Sequence, residues 1–582
     1  MTMDKIDPQR SELAAALWAA RQSFYAIALF SCVINLLMLT PAIYMMQVYD
    51  RVLASRNEIT LLMLTLVVVV LYALMAGMEW VRSQLLVRLG IRLDEVLHDR
   101  VFVASFASTL RQGGGGNANQ ALQDLASLRQ FLAGQGLLAF IDAPWSLIFL
   151  AVTFLMHPLL GGITLGGMVL LFSMTYATEL LTRQPLTEAN QAWAKASNYA
   201  TSSLRNAEVI ASMGMLDDVR RRWLERYRKV LGLQALASDR GGSIGSATRF
   251  LRVFLQSLIL GAGALLAIDG LVSPGVMIAA SIIMGRAMAP VEIGIANWKG
   301  FVAARNAFDR LEKLLAIYPE RQNGMALPPP KGAVQVENVV VAAPGGGTPI
   351  LRGVSMSILP GEAVAVIGPS AAGKSTLART LIGLWPAVSG KVRLDGADLF
   401  EWNKQELGPY IGYLPQDVEL FGGTIAENIA RCGTPDSAKV IEAAQQAGLH
   451  EVILRFPQGY DTEIGEGGGF LSAGQRQRIG LARALYGGPV LVVLDEPNSN
   501  LDDAGEAALV AAIQAIKAAN KTVVVVTHRT NVVSAVDKIL VLHDGLVAGF
   551  GAKDDILAAM RGAPAPALAA APPTGIQVAT TT

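Results

Sequence analysis

The chain has 582 residues, which is more than a single ordinary domain contains. Hydrophobic residues make up 52% of it and charged residues only 16%, so the composition excludes a purely soluble globular protein. The formal net charge of +1 gives no reason to expect nucleic-acid binding, and the two cysteines, Cys32 and Cys432, predict neither a disulfide framework nor a zinc site.

Long apolar stretches in the first half of the chain predict membrane-spanning helices. Their lengths suit a hydrocarbon core about 30 Å thick. His157 and Pro158 divide one long apolar stretch into two spans. Asp269, Pro274 and Arg286 interrupt the last two spans, so a buried soluble helix pair remains an alternative there. The six predicted spans are 22–49, 59–78, 137–156, 159–179, 251–269 and 274–291.

The positive charges indicate how these spans are oriented. Lysines and arginines are frequent before the first span, after the second and after the fourth. The positive-inside rule therefore places residues 1–21 and the segments near 80–136 and 180–248 in the cytoplasm. The two segments are helical in pattern but too polar to span. They are predicted to be cytoplasmic extensions of a transmembrane domain at 22–325, with turns near 108–120 and 204–214.

A Pro-rich segment, residues 326–332, predicts a stiff linker to a second domain at 333–561. Strands alternate with helical segments there, which indicates an α/β domain. Residues 368–376 have the pattern of a phosphate-binding loop between a strand at 363–367 and a helix at 375–382. The residues predicted to surround the phosphates are Gly368, Pro369, Ser370, Ala371, Ala372, Gly373, Lys374, Ser375 and Thr376.

Particular side chains in this domain point to ATP hydrolysis. Lys374 is predicted to reach the β- and γ-phosphates, and the Ser375 hydroxyl to bind Mg²⁺. A buried strand at 490–494 precedes Asp495, a predicted Mg²⁺ ligand, and Glu496, which is placed to polarise the attacking water. His528 follows a further strand-like run, and this position predicts a contact with the γ-phosphate.

Residues 471–475 lie at the start of a helical pattern that continues through 476–485. A small, polar, glycine-containing sequence at a helix start is a geometry that binds anions. An ordinary helix cap is the alternative interpretation of this segment alone.

The order of these motifs resembles that of ATP-binding-cassette transporters, and six spans ahead of one cassette resemble an exporter half-transporter. The resemblance implies that Gln416 is the Gln-loop residue, with a catalytic and a Mg²⁺-contacting role. It also implies that ATP lies between the phosphate-binding loop of one subunit and the signature motif of the other, so that a homodimer forms two equal sites. Further ATP-binding residues are then Ser472, Ala473, Gly474 and Gln475 of the signature and Asp502 of the D-loop.

Four segments, 47–56, 142–145, 285–290 and 494–502, resemble the type I secretion permease/ATPases, and within these the branch that exports proteases and lipases. This resemblance implies a homodimer embedded in the lipid of a Gram-negative inner membrane, with the cassette in the cytoplasm. It implies a periplasmic membrane-fusion adaptor and a TolC-like outer-membrane channel as partners. The implied substrates are unfolded polypeptides with C-terminal signals, often with glycine-rich calcium-binding repeats.

Some features depart from these patterns or leave alternatives open. Ala342 and Ala343 stand where many cassettes stack an aromatic residue on adenine. Arg286 is interpreted either as a residue of the substrate pathway or as an ion-paired residue, with Glu292 as the partner. Residues 562–582, rich in Ala, Pro and Thr, predict a disordered tail.

Two other functions remain open. An exporter of lipids or small hydrophobic compounds would share every ATP motif, although such exporters commonly have a longer first periplasmic connection than residues 50–58. A non-pumping regulator or channel typically has a damaged catalytic site, whereas Lys374, Asp495, Glu496 and His528 are all present here.

Overall fold

The computed structural model describes residues 11–111, 119–320, 327–343, 346–465 and 468–560. The chain forms two compact units that meet in the sequence at Glu320 and Arg321. Part of the first predicted turn, the start of the predicted linker and the predicted disordered tail lie outside the described residues.

All regular structure described in the first unit is helical, with a π-helical turn at Val48–Val52 between the third and fourth helices. The helices are α1 (Glu12–Ala19), α2 (Arg21–Leu37), α3 (Thr40–Gln47), α4 (Leu53–Ser55), α5 (Glu58–Arg111), α6 (Gln120–Leu132), α7 (Gln135–Asp142), α8 (Trp145–Met156), α9 (Pro158–Arg205), α10 (Ala207–Ser212), α11 (Leu216–Ile268), α12 (Pro274–Ala296) and α13 (Trp298–Ile317).

Five helical stretches of the described chain are long and apolar enough to cross a membrane: Arg21–Ser55, α5, α9, α11 and α12. The pair α7 and α8, bent by 45°, makes a sixth if it is counted as one span. Many large apolar side chains on these helices are exposed, including Leu62, Val69 and Phe172. Such exposure suits contact with lipid rather than with water. The predicted transmembrane architecture is therefore confirmed.

Three helices are far longer than a membrane is thick. α5 has 54 residues, α9 has 48 and α11 has 53. At 1.5 Å per residue they are about 70 to 80 Å long, more than twice the ~30 Å of a hydrocarbon core. The polar segments beyond the spans thus continue the same helices. The turn predicted near 204–214 corresponds to the end of α9, the short α10 and the start of α11.

A buried polar network joins α2, α5 and α7. Arg82 donates to Ser31 Oγ at 3.1 Å and pairs with Asp142 Oδ2 at 3.4 Å. Asn35 donates to the other carboxylate oxygen of Asp142 at 2.8 Å. These contacts give the charged side chain of Arg82, which is only 8% exposed, the polar partners that a buried charge requires.

The ion pair between Arg286 and Glu292, offered as one of two interpretations of Arg286, is not observed among the described residues. Glu292 Oε2 accepts a hydrogen bond from Arg252 Nη1 of α11 at 3.1 Å. The contact described for Arg286 is with the sulfur of Met38, at 3.9 Å. Packing between helices, rather than proximity along α12, selects the partner of this carboxylate.

The described part of the second unit contains three sheets. The largest has six strands in the order β12-β11-β3-β10-β9-β6, in which only the pairing of β11 with β12 is antiparallel. A second sheet has the order β2-β1-β4-β5, and β7 pairs with β8. The strands are β1 (Val334–Ala342), β2 (Pro349–Ile358), β3 (Ala363–Ile367), β4 (Ser389–Leu394), β5 (Ala397–Asp398), β6 (Ile411–Leu414), β7 (Gly423–Thr424), β8 (Glu463–Ile464), β9 (Leu491–Asp495), β10 (Thr522–Val526), β11 (Lys538–His543) and β12 (Leu546–Ala552).

Helices cover the large sheet. They are α14 (Lys374–Leu381), α15 (Lys404–Leu407), α16 (Ile425–Ile429), α17 (Ser437–Gln446), α18 (His450–Ile453), α19 (Ala473–Leu485), α20 (Asp503–Ala518), α21 (Thr530–Ser534) and α22 (Lys553–Met560). Every residue of β9 and β10 is buried, as expected for central parallel strands covered on both faces. The carboxyl ends of β3, β10 and β9 meet at one edge of this sheet, where parallel α/β sheets bind ligands.

Candidate nucleotide site

The phosphate-binding loop connects β3 to α14, which begins at Lys374, one residue before the predicted start. Gly373 has φ +96° and precedes the helix. A Cβ at Gly368 would lie 2.1 Å from the main-chain oxygen of Leu542, so only glycine fits there. The Lys374 ammonium donates to the carbonyls of Gly368 and Pro369, both at 2.9 Å. Burial lowers the pKa of Lys374, although the nearby carboxylates oppose this shift.

Asp495 lies at the end of β9, next to the start of α14. Its Oδ1 accepts a hydrogen bond from Ser375 Oγ at 3.1 Å. The residue is 1% exposed, and its Oδ2 has no hydrogen-bond partner among the described residues. Burial raises the pKa of Asp495, and the bond from Ser375 partly offsets this increase. The arrangement leaves one buried carboxylate oxygen beside a hydroxyl, at the mouth of the phosphate-binding loop.

Glu496 follows Asp495 with a left-handed backbone, φ +48°. Its N–H donates to Val526 O at 3.0 Å, which fixes it to the end of β10. Its carboxylate accepts a hydrogen bond from Gln416 Nε2 at 3.1 Å and lies 3.7 Å from His528 Nε2. The structure therefore brings together three residues that the sequence placed after three separate strands.

The signature segment forms the first turn of α19. The helix begins at Ala473, within the predicted helix start, because Ser472 and Gln475 form a capping box. Gln475 N donates to Ser472 Oγ at 3.2 Å, and Ser472 N donates to Gln475 Oε1 at 2.9 Å. A Cβ at Gly474 would lie 2.9 Å from Asn500 O, so the helix start packs closely on the D-loop.

Asp502 caps the N-terminus of α20. Its carboxylate accepts a hydrogen bond from Gly505 N at 2.9 Å and pairs with Arg478 of α19. The Gly505 N–H and the Arg478 charge lower the pKa of this carboxyl. Over the ranges that the structure describes, no hydrogen bond or ion pair joins Ser472–Gln475 or Asp502 to the phosphate-binding loop.

Sequence reasoning missed Gln477, which is 2% exposed. Its amide donates to Glu496 O at 3.1 Å and to Ser499 Oγ at 3.3 Å, and its carbonyl accepts from Asn500 N at 3.0 Å. The helical spacing could have identified it. Gln477 lies on the same face of α19 as the buried residues Gly480, Leu481 and Ala484, which follow it by three, four and seven positions. A glutamine on such a face requires polar partners.

Comparison with known families identifies both units. Residues 24–291 match the ABC transporter transmembrane region, and residues 351–499 match the ABC transporter family. A solved structure of a bacterial Atm1-family ABC exporter with ATP bound superposes with a TM-score of 0.81, covering 94% of this chain and 97% of that one at 23% identity. The fold is that of an ABC exporter.

Sequence comparison with characterised proteins narrows this class. The type I secretion system ATP-binding protein PrsD of Rhizobium meliloti is 44% identical over 94% of each chain. The cyclolysin secretion/processing ATP-binding protein CyaB of Bordetella pertussis is 27% identical, over 94% of this chain and 77% of its own length. The chain belongs to the type I secretion system ATP-binding proteins and is an ATP-driven secretion exporter with an ABC ATPase domain.

Proposed function

We propose that this chain is the inner-membrane ATPase of a Gram-negative type I secretion system, which exports unfolded polypeptides with C-terminal signals. The observation that carries the proposal is the cluster around Glu496. Its carboxylate is held by Gln416 and faces His528, beside the phosphate-binding loop. This cluster stands in a chain that shares 44% identity with a type I secretion ATP-binding protein along nearly its whole length.

Each site residue receives a role in hydrolysis. Residues 368–376 surround the phosphates of ATP, and the Lys374 ammonium exchanges its two carbonyl contacts for phosphate oxygens. Glu496 orients and polarises the water that attacks the γ-phosphate. Gln416 holds the Glu496 carboxylate, and His528 stabilises the transferred phosphoryl group from the opposite side of the cluster.

Mg²⁺ is the metal that this site suits. Its preferred ligands are carboxylate, hydroxyl and phosphate oxygens, and the unpartnered Oδ2 of Asp495 lies beside the hydroxyl of Ser375. Asp495, Ser375 and Gln416 would hold the ion. Bound there with ATP, it would neutralise charge that develops on the phosphate oxygens.

A homodimer completes the site. One chain carries one phosphate-binding loop and one signature motif, and the described residues show no polar contact between them. The capped helix start at Ser472–Gln475 is a site for the phosphates of ATP bound to a second copy, with Asp502 close by. Two-fold symmetry then gives two equal sites, and ATP closes the two cassettes on each other.

The proposed partners follow from the same family relationship. A periplasmic membrane-fusion adaptor and a TolC-like outer-membrane channel continue the export path beyond the inner membrane. The substrates are polypeptides of the protease, lipase or calcium-repeat type, delivered unfolded from the cytoplasm, where the cassette binds ATP.

The test is ATPase activity of the purified full chain in proteoliposomes, with and without an unfolded polypeptide that carries a C-terminal secretion signal. Glu496→Gln serves as the blank, and the same polypeptide without its signal serves as the control. A saturable change that requires the signal supports the proposal. Stimulation by lipids or small hydrophobic compounds, with no response to the polypeptide, would favour the small-molecule exporter.

A further inference from the structure

Two alanines stand at the carboxyl end of β1. Ala342, the last residue of β1, pairs with Pro349 at the start of β2, and Ala343 follows it. Both alanines are half-buried. They occupy the positions at which many cassettes place an aromatic residue against adenine. A methyl group has no π face, so neither alanine can stack on a base.

The ends of β1 and β2 lie against the phosphate-binding loop. A Cβ at Gly373 would lie 2.8 Å from Leu351 Cδ2 and 3.3 Å from Ile350 Cγ2, so these two residues of β2 pack on the loop. Leu351 pairs with Val341, the residue before Ala342. The two alanines are therefore close neighbours of the strand positions that contact the loop.

The nucleoside end of a bound nucleotide is expected at this location. In the proposed mechanism the γ-phosphate faces Glu496, which directly follows β9. Within the described ranges, no hydrogen bond or ion pair joins β1 or β2 to Asp495, Glu496 or His528. β2 meets the loop at Gly373 instead. A base attached through ribose to the far end of the triphosphate therefore extends toward the ends of β1 and β2.

The elements around the loop supply no ring in place of these alanines. β1, β2, the phosphate-binding loop and α14 contain no Phe, Tyr, Trp or His. Tyr413 of β6 is hydrogen-bonded by Arg379. Trp385, which follows α14, is covered by the same guanidinium, whose Cζ lies 5.0 Å from the ring centroid. These two rings are therefore already in contact with a residue of α14.

Two exposed rings remain as rivals for contact with a base. His543 ends β11, two residues before Gly545, whose N–H donates to Ala372 O of the loop at 3.2 Å. Phe470 precedes the signature segment, is 55% exposed, and lies edge-on to Phe456 with the ring centroids 6.2 Å apart. A second copy of the chain would bring its own Phe470 to the composite site. Both rings are therefore included in the test below.

The triphosphate end of the site is rich in charged groups, unlike the end of β1. Lys374, Ser375 and the carboxylates of Asp495 and Glu496 gather around the loop. Phosphates and the metal ion make these contacts whatever the base is. A site discriminates between two ligands only through contacts that differ between them.

We propose that the nucleotide site selects the triphosphate and not the base, so that the chain hydrolyses GTP, ITP, UTP and CTP as well as ATP. In each case water attacks the γ-phosphorus, the bond to the β–γ bridging oxygen breaks, and the nucleoside diphosphate and inorganic phosphate leave. Glu496 takes one proton from the water and passes it to solvent. This activity rests on the hydrolytic roles proposed above but not on which compound is exported, so its absence would leave the proposed secretion of polypeptides untouched.

Steady-state hydrolysis of the five nucleotides by the full chain in proteoliposomes tests the proposal. Each nucleotide is supplied with equimolar Mg²⁺, and phosphate release is measured. Glu496→Gln, assayed with every nucleotide, subtracts contaminating phosphatases. The values of kcat/KM should agree within about fivefold, which is the effect of one aromatic stack. A larger preference for ATP over the other nucleotides would overturn the proposal.

A tyrosine at the end of β1 should create the missing preference. Ala342→Tyr and Ala343→Tyr are made separately, because successive side chains of an extended backbone point to opposite faces and only one can reach the base. One of them should raise kcat/KM for ATP over UTP about fivefold, through a lower KM for ATP at unchanged kcat. Leucine at the same position adds bulk without a ring and should leave the ratio unchanged. Histidine, a smaller ring, replaces tyrosine if that variant does not fold.

The rival rings are tested by His543→Ala and Phe470→Leu. Both variants should leave the ratio of kcat/KM for ATP over UTP unchanged. A fall of this ratio in either variant would show that its ring stacks on adenine and would overturn the proposal. The proposal is also wrong if no ring placed at Ala342 or Ala343 changes the ratio in an active protein, because the base then does not lie at the end of β1.

Discussion

Gln477 donates its side-chain amide to the main-chain oxygen of Glu496 at 3.1 Å. Glu496 has φ +48°, a left-handed conformation that costs free energy for a residue other than glycine. Its N–H is held by Val526 and its carbonyl by Gln477, so both sides of the strained residue are fixed. Gln477 belongs to α19, the helix that begins at the signature motif. Through this hydrogen bond, α19 helps to position Glu496, the proposed hydrolytic residue.

The variant Gln477→Leu should lower kcat about tenfold, because leucine cannot make the three side-chain hydrogen bonds of Gln477, including the one to Glu496 O, and the Glu496 backbone is then free to relax. The KM for ATP should change less than twofold, since the phosphate-binding loop is untouched. Steady-state ATPase kinetics measure both constants. Gln405→Leu, at an exposed position of α15, is the control. A change in KM alone would contradict a positioning role.

The variant Glu496→Gln should reduce ATP hydrolysis at least about a hundredfold, because the amide does not accept a proton from the attacking water. ATP binding should persist, and the protein should accumulate as a closed dimer of cassettes with ATP trapped. Retention of labelled nucleotide after rapid gel filtration measures the trapped state. The exposed Glu442→Gln on α17 is the matched control. Hydrolysis by Glu496→Gln at the wild-type rate would show that its assigned role is wrong.

The variant Asp495→Asn should stabilise the protein at pH 7 in the absence of Mg²⁺ and ATP. Burial raises the pKa of this carboxyl, so the folded state disfavours its ionised form. Stability of the wild type should therefore rise relative to Asp495→Asn as the pH falls through the folded pKa, because the folded protein takes up the proton before the unfolded chain does.

Thermal unfolding at several pH values, with and without Mg²⁺–ATP, measures the difference between the two proteins. Saturating Mg²⁺–ATP should reverse the order at pH 7, since the ionised Asp495 then gains a cation. If added Mg²⁺–ATP stabilises Asp495→Asn as much as the wild type, Asp495 is not a metal ligand.

Removing only one partner of the buried ion pair between Arg82 and Asp142 should strongly destabilise the protein. Asp142→Ala leaves the Arg82 charge without its carboxylate in a buried site, and we expect a loss of about 3 kcal/mol of stability. The double variant Arg82→Met/Asp142→Ala should recover part of this loss. Unfolding of the detergent-solubilised protein measures both. The exposed pair Asp218 and Arg221 is the control, where removing the carboxylate should cost little. Equal losses of stability at the two pairs would contradict the expectation that burial makes the Arg82–Asp142 pair more important than an exposed one.

Local patterns predicted much of the cassette. The strand before the phosphate-binding loop is observed at the predicted residues, Ala363–Ile367, because five apolar residues bounded by a turn define it. The start of α19 at Ala473 agrees with the expectation that residues 471–475 lie at a helix start, where Ser472 and Gln475 carry the sequence signature of a capping box.

Contacts between distant segments could not be predicted in the same way. The partner of Glu292 is Arg252, 40 residues earlier in the chain, and only the packing of α11 against α12 selects it. The bond from Gln477 to Glu496 likewise depends on how α19 lies against the end of β9. The periodicity of apolar residues indicates which side chains are buried, but it does not show which distant residues they contact.

Polypeptide transport by the purified chain is the direct test of its proposed secretion activity. The full chain is reconstituted in proteoliposomes with the cassette outside, and a labelled unfolded polypeptide with a C-terminal secretion signal is added with Mg²⁺–ATP. We expect the polypeptide to become protected from external protease in an ATP-dependent manner, with the wild type and not with Glu496→Gln. ATP hydrolysis without protection of the polypeptide, accompanied by ATP-dependent movement of a labelled lipid or small hydrophobic compound, would contradict this expectation.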